Sequence, residues 1–166
     1  MRRALAAAAL VAAMARSVVA VGHPMPNTMV LVSARPSGFD AELSIPLSEL
    51  GAAIGEALEE GRADLAALRS YLLTHAAVVG ADGRAWPARI TRLDFDNVQR
   101  PTLEVSLSFL KPEGAGRSGA TLRYDAVTHR VASHNVLIYF RENPRADVKP
   151  FGRLQAPAAT LPLPSP

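Results

Sequence analysis

The chain has 166 residues, 49% of them hydrophobic, 20% charged and 5% aromatic, which fits one packed domain and excludes global disorder. The net charge of +3 misleads: Arg2, Arg3 and Arg16 fall within residues 1–22 with no acid among them, and the remainder balances 15 basic against 15 acidic residues. That balance supplies no positive excess for phosphate, so no nucleic acid partner is expected, and the absence of cysteine removes disulfides, thiolate nucleophiles, zinc fingers and iron–sulfur clusters.

Residues 1–22 read as a cleavable secretory signal peptide. Arg2 and Arg3 give a positive start, residues 4–15 an apolar run of twelve, and small residues follow. Twelve residues rise only about 18 Å as a helix, short of the roughly 30 Å of a bilayer core. Cleavage fits after Ala20 or after Gly22, which makes Val21 or His23 the first mature residue. The expected location is therefore periplasmic or secreted. No later run is long and apolar enough for a transmembrane segment.

Pro24 and Pro26 keep residues 23–27 irregular. Met29 to Ser33 is a continuous apolar run suited to a buried strand. After a turn at 35–38, Phe39, Ala41, Leu43 and Ile45 alternate with Asp40, Glu42 and Ser44, the period of a half-buried strand. Pro46 stops it. Residues 47–60 suit a helix but contain Gly51 and Gly55, which predicts a short helix or a loose turn. Asp64 is placed to cap a helix through about His75, striped by Leu65, Leu68 and Leu72. Asp82-Gly83 predicts a hairpin joining Val78-Val79 to a strand over about Trp86 to Phe95.

Leu103, Val105, Leu107 and Phe109 form a second alternating strand. A loop follows over 111–119, then a segment around Leu122, Tyr124 and Ala126, and a final strand over about 135–141. These elements predict a mainly β fold, an immunoglobulin-like β-sandwich of about seven strands with one or two short helices, spanning 23–143. The Pro- and Ala-rich stretch 144–166 reads as a flexible tail.

Four histidines follow the signal's apolar core: His23, His75, His129 and His134. A chain starting at His23 would present its α-amine and imidazole together, a pair of nitrogen donors suited to copper (Cu), then nickel (Ni) or zinc. His129 and His134 are five apart, an odd separation that points them to opposite faces of one strand, so they converge only across a turn at 131–133. Asp125 would stand about 13 Å from His129 on a continuous strand. His75 falls in the last helical turn, where a histidine favours the macrodipole. There is no G-x-S-x-G, H-E-x-x-H or phosphate-binding glycine loop, and no enzyme is expected.

His23-Pro24-Met25-Pro26-Asn27-Thr28, AELSIPLSELGAAIG, the segment 68–73, ADGRAW and LRYDAVTHRVASHNVLI together resemble the exported N-terminal domain of HupE/UreJ-like bacterial membrane proteins over about 23–142. The resemblance implies a periplasmic domain beside an integral membrane protein, in a family tied to nickel or cobalt (Co) handling. It makes His23, His129 and His134 the candidate metal ligands. The function expected is a binding domain for Ni, Co or Cu, or a docking domain for a membrane partner. The alternatives are a structural or interaction domain without ligand and a copper-dependent oxidative enzyme.

Overall fold

The two best-patterned segments form the hairpin their alternation requires. The structure, a computed structural model, describes residues 26–98, 100–116 and 118–164; the expected signal at 1–22 and His23 lie outside them. β1 (Thr28–Arg35) and β2 (Gly38–Pro46) pair antiparallel, from Met29 opposite Ser44 to Arg35 opposite Gly38. The turn between them needs Gly38. Its φ is +141° and an added Cβ would stand 2.0 Å from the Phe109 carbonyl oxygen, so any side chain collides with backbone.

Helix α1 (Leu47–Ile54) forms despite its glycines and ends at Gly55, whose left-handed backbone returns its N–H to the Gly51 carbonyl at 2.8 Å. Helix α2 (Leu65–His75) is capped by Asp64, whose carboxylate accepts from the Ala66 and Ala67 N–H groups. It runs directly into β3 (Ala76–Val79). The remaining strands are β4 (Ala88–Asp96), β5 (Thr102–Leu110), β6 (Thr121–Tyr124), β7 (Val136–Arg141), β8 (Lys149–Leu154) and β9 (Thr160–Pro162).

Six strands make one sheet in the order β4-β5-β2-β1-β7-β8, and three make a second, β3-β6-β9. β1 and β7 run parallel. Both sheets and both helices contribute to one core, with Ile45, Leu50, Leu72, Val78, Leu103, Val127 and Val136 fully buried. Burying each such side chain is worth about 1.5–3 kcal/mol. The protein is thus mainly β, a sandwich with two short helices, as its alternation requires. The described residues hold nine strands rather than about seven.

Three expectations are corrected. The stretch expected as a free tail, 144–166, is packed through its described residues 144–164, since β8 pairs with β7, β9 pairs with β6, and Leu154 and Leu163 are buried. The Asp82-Gly83 turn forms, with Gly83 at φ +78° and Trp86 N–H on the Val78 carbonyl at 2.8 Å. Its second arm then leaves: β4 pairs with β5 in the larger sheet, not with β3. Finally, Met29–Ser33 is fully covered on one face and only partly on the other, where Met29 is 49% exposed and Leu31 half-buried while Ser33 is buried.

Candidate metal centre

The register of the small sheet builds the site. Ala76 pairs with Tyr124, so one step further His75 lies opposite Asp125, whose N–H donates to the His75 carbonyl at 3.1 Å. β6 ends at Tyr124, and the chain from Asp125 turns like a helix rather than extending. The Asp125 carbonyl accepts the His129 N–H at 3.2 Å, and Val131 N–H reaches the Val127 carbonyl at 2.9 Å. Residues four apart in such a turn are neighbours, so the 13 Å expected between Asp125 and His129 collapses to direct contact.

Asp125 therefore holds two imidazoles. His75 Nδ1 donates to the Asp125 carboxylate at 2.9 Å, and His129 Nδ1 donates to the Asp125 backbone carbonyl at 2.8 Å. The rings stack with centroids 4.3 Å apart and planes 23° from parallel. A carbonyl only accepts, so the His129 proton sits on Nδ1; the carboxylate fixes the same tautomer in His75. In the neutral form of each ring this leaves a bare Nε2 lone pair, which takes no hydrogen bond from any described residue. His129 is exposed and the His75 side chain is 19% exposed.

Tyr71 closes one side. Its ring centroid lies 4.4 Å from that of His75 and 6.0 Å from that of His129, and its hydroxyl donates to the Ala126 carbonyl. Burial, reinforced by the Asp125 charge, pushes its pKa up to about 12. Tyr71 is thus a neutral wall and no phenolate ligand. It stands four residues before His75 on α2, the one local signal in the sequence for this cluster.

His134 belongs elsewhere. It is fully buried beside Thr28, whose N–H and hydroxyl lie 3.1 Å and 2.9 Å from its Nε2. Because an amide N–H can only donate, Nε2 is the acceptor and Nδ1 carries the proton. Nδ1 lies 3.6 Å from the Glu49 carboxylate, too long for a hydrogen bond, and has no other partner. Burial holds this imidazole below its ordinary pKa, and Glu49 opposes that shift. Burial likewise raises the Tyr124 hydroxyl above its usual range, opposed by Thr28.

The expectation that His129 and His134 share an ion is therefore corrected. The only lone pair of His134 is spent on Thr28, and the ring next to His129 is His75. Reading His75 as a helix-end residue alone missed its partner, which a pairing across 50 residues brings in. Among the described residues no three His, Asp or Glu side chains are grouped to enclose an ion, so the pair offers two ligands and no more.

The fold and site together define a two-sheet β domain carrying an accessible, oriented imidazole pair. Neither a family model nor a curated protein matches the chain. No helix of the described residues is long and apolar enough to cross a membrane.

Proposed function

We propose that the chain is an exported binding domain that takes a first-row transition-metal ion on His75 and His129. The observation that carries this is the fixing of both Nδ1 protons by Asp125, which leaves two Nε2 lone pairs on adjacent stacked rings. Imidazoles that ligate metals are oriented in just this way, by a carboxylate or carbonyl on the other ring nitrogen. Two bonds of about 2.0–2.1 Å in a bent arrangement place the ligating nitrogens about 3 Å apart, so binding requires the stacked rings, 4.3 Å apart at their centroids, to splay until their in-plane lone pairs converge. Neutral nitrogen donors favour Cu(II), with Ni(II) and Zn(II) behind it.

Two protein ligands leave coordination positions open, which suits an exchangeable ion better than a structural one. The pattern of residues 1–22 supports export, and the resemblance of 23–142 to HupE/UreJ-like exported domains supports metal handling beside a membrane partner. The test is calorimetric titration of the processed chain with Cu(II) and Ni(II). One equivalent of Cu(II) should bind, His75→Ala and His129→Ala should each weaken it by about tenfold or more, and His23→Ala should leave the heat of this site unchanged. Binding that survives both ring deletions but vanishes in His23→Ala would overturn the reading.

A further inference from the structure

One buried titratable group stands outside the metal reading, between the starts of β1, β7 and α1. His134 is fully buried and lies two residues ahead of β7, where Thr28 opposite Val136 begins the parallel β1–β7 ladder. Its Nε2 accepts from the Thr28 N–H at 3.1 Å and from the Thr28 hydroxyl at 2.9 Å. Thr28 is itself fully buried, and its N–H is shared with the Asn135 carbonyl at 3.1 Å. On the other side of the ring, Nδ1 carries its proton toward Glu49 in the first turn of α1, at 3.6 Å. A hydrogen bond from nitrogen to oxygen closes at about 2.7–3.2 Å. This proton is therefore about half an ångström short of Glu49, and it has no other acceptor among the described residues.

The neutral ring thus has one satisfied nitrogen and one unsatisfied nitrogen, and a second proton reverses them. Imidazolium is a donor at both positions. The Thr28 hydroxyl can turn and accept, but the Thr28 N–H cannot, and it then faces another N–H across 3.1 Å. The new charge makes Glu49 the better partner, since charge-assisted hydrogen bonds are shorter and roughly twice as strong. Among the described residues Glu49 is the one charge that acts on this ring. From β6 the neighbouring group is the Tyr124 hydroxyl beside Thr28, which burial keeps neutral. From the turn before β7 it is the Asn135 side chain, which does not titrate.

We infer that His134 is an acid-operated switch that hands its ring from Thr28 on β1 to Glu49 on α1. In the neutral state the ring clamps the first residue of β1. In the protonated state it ties down the first turn of α1, and the Thr28 N–H keeps only the Asn135 carbonyl. The change is local. Met29 and the residues after it keep their pairs with β2 and β7, so acid loosens the chain entering β1, at Pro26 to Thr28, before it loosens the sheet. A single buried histidine with two alternative partners is a bistable element of the kind that pH sensors use. The switch is independent of the metal reading, because the lone pair it uses faces Thr28 and neither His75 nor His129.

The test is nuclear magnetic resonance of the isotope-labelled processed chain, taken from neutral pH into acid. The ring nitrogens of His134 report its protonation. Amide hydrogen exchange, divided by the intrinsic rate at each pH, reports the clamp. As His134 takes up its proton, protection at Thr28 should fall by about two- to tenfold, the weight of one hydrogen bond, while protection at Leu31 and Val32 holds. His134→Gln keeps an acceptor for Thr28 and cannot titrate, so its Thr28 protection should be flat with pH. Glu49→Gln removes the charged partner and should move the fall at Thr28 to lower pH. Thr28 protection that stays constant while His134 titrates would overturn the inference, as would a His134 that takes no proton before the chain unfolds. An equal fall at Thr28, Leu31 and Val32 would overturn it too, because the whole strand would then be loosening without a switch.

Discussion

His75 stands opposite Asp125 one step past the last paired residues of β3 and β6, and its Nδ1 lies 2.9 Å from the Asp125 carboxylate. The same residue's carbonyl holds His129, so one aspartate sets the tautomer and the tilt of both rings. Asp125→Asn keeps an acceptor oxygen and the backbone carbonyl but removes the charge that makes the His75 nitrogen a better donor to metal. Cu(II) affinity at His75 and His129 should fall by about 10–100-fold with circular dichroism unchanged. An affinity within twofold of the native value would mean that the carboxylate plays no orienting part.

His134 makes stability depend on pH, and the sign is fixed by its burial. Its folded pKa is depressed, while an unfolded histidine titrates near about 6.5. The unfolded chain therefore binds the proton first. The stability from neutral His134 is complete above about pH 6.5 and is lost as pH falls from there toward the folded pKa, by at most about 1.36 kcal/mol per unit for one proton. Urea midpoints measured between about pH 7.5 and 5.5 should decline over that span. Glu49→Gln removes the charge opposing the shift and should carry the decline further into acid. A midpoint constant over the same range would sink the argument.

The Asp64 cap serves two N–H groups at 2.9 Å and 3.0 Å and anchors the helix whose far end carries His75. Asp64→Ala should cost about 0.5–2 kcal/mol in chemical denaturation. Because the cap and the imidazole pair sit at opposite ends of α2, the Cu(II) affinity of the folded variant should stay within about twofold of native.

Much of the larger sheet was legible because its strands alternate: the even spacing of Phe39, Ala41, Leu43 and Ile45, and of Leu103, Val105, Leu107 and Phe109, names the buried face directly. Asp64 was legible as a cap for the same local reason. The imidazole pair was not, because it depends on β3 meeting β6 across half a hundred residues and on β6 stopping at Tyr124, and neither is written within a short window. The partial exposure of β1 was hidden differently: an apolar run such as Met29 to Ser33 looks the same whether one of its faces or both are covered by the protein's own core. The C-terminal strands were hidden by proline, since Pro150 and Pro162 lie in β8 and β9. Both are edge strands, the one place in a sheet where a missing N–H is tolerated.

Those last strands close the sandwich, and that claim is open to a direct test. Leu154 pairs with Val136 and is buried, and a Cβ on Gly152 would come within 2.8 Å of the Leu161 side chain, so β8 and β9 pack tightly where the two sheets meet. Leu154→Ala should lower the unfolding free energy by about 2–5 kcal/mol, the range for emptying a buried leucine site. Limited proteolysis of the native chain should spare residues 149–163 at protease levels that cut exposed loop positions such as Glu113 and Gly114. A loss below about 0.5 kcal/mol, the size of an ordinary surface substitution, together with rapid cleavage near residue 150, would return this stretch to the free tail that its composition describes.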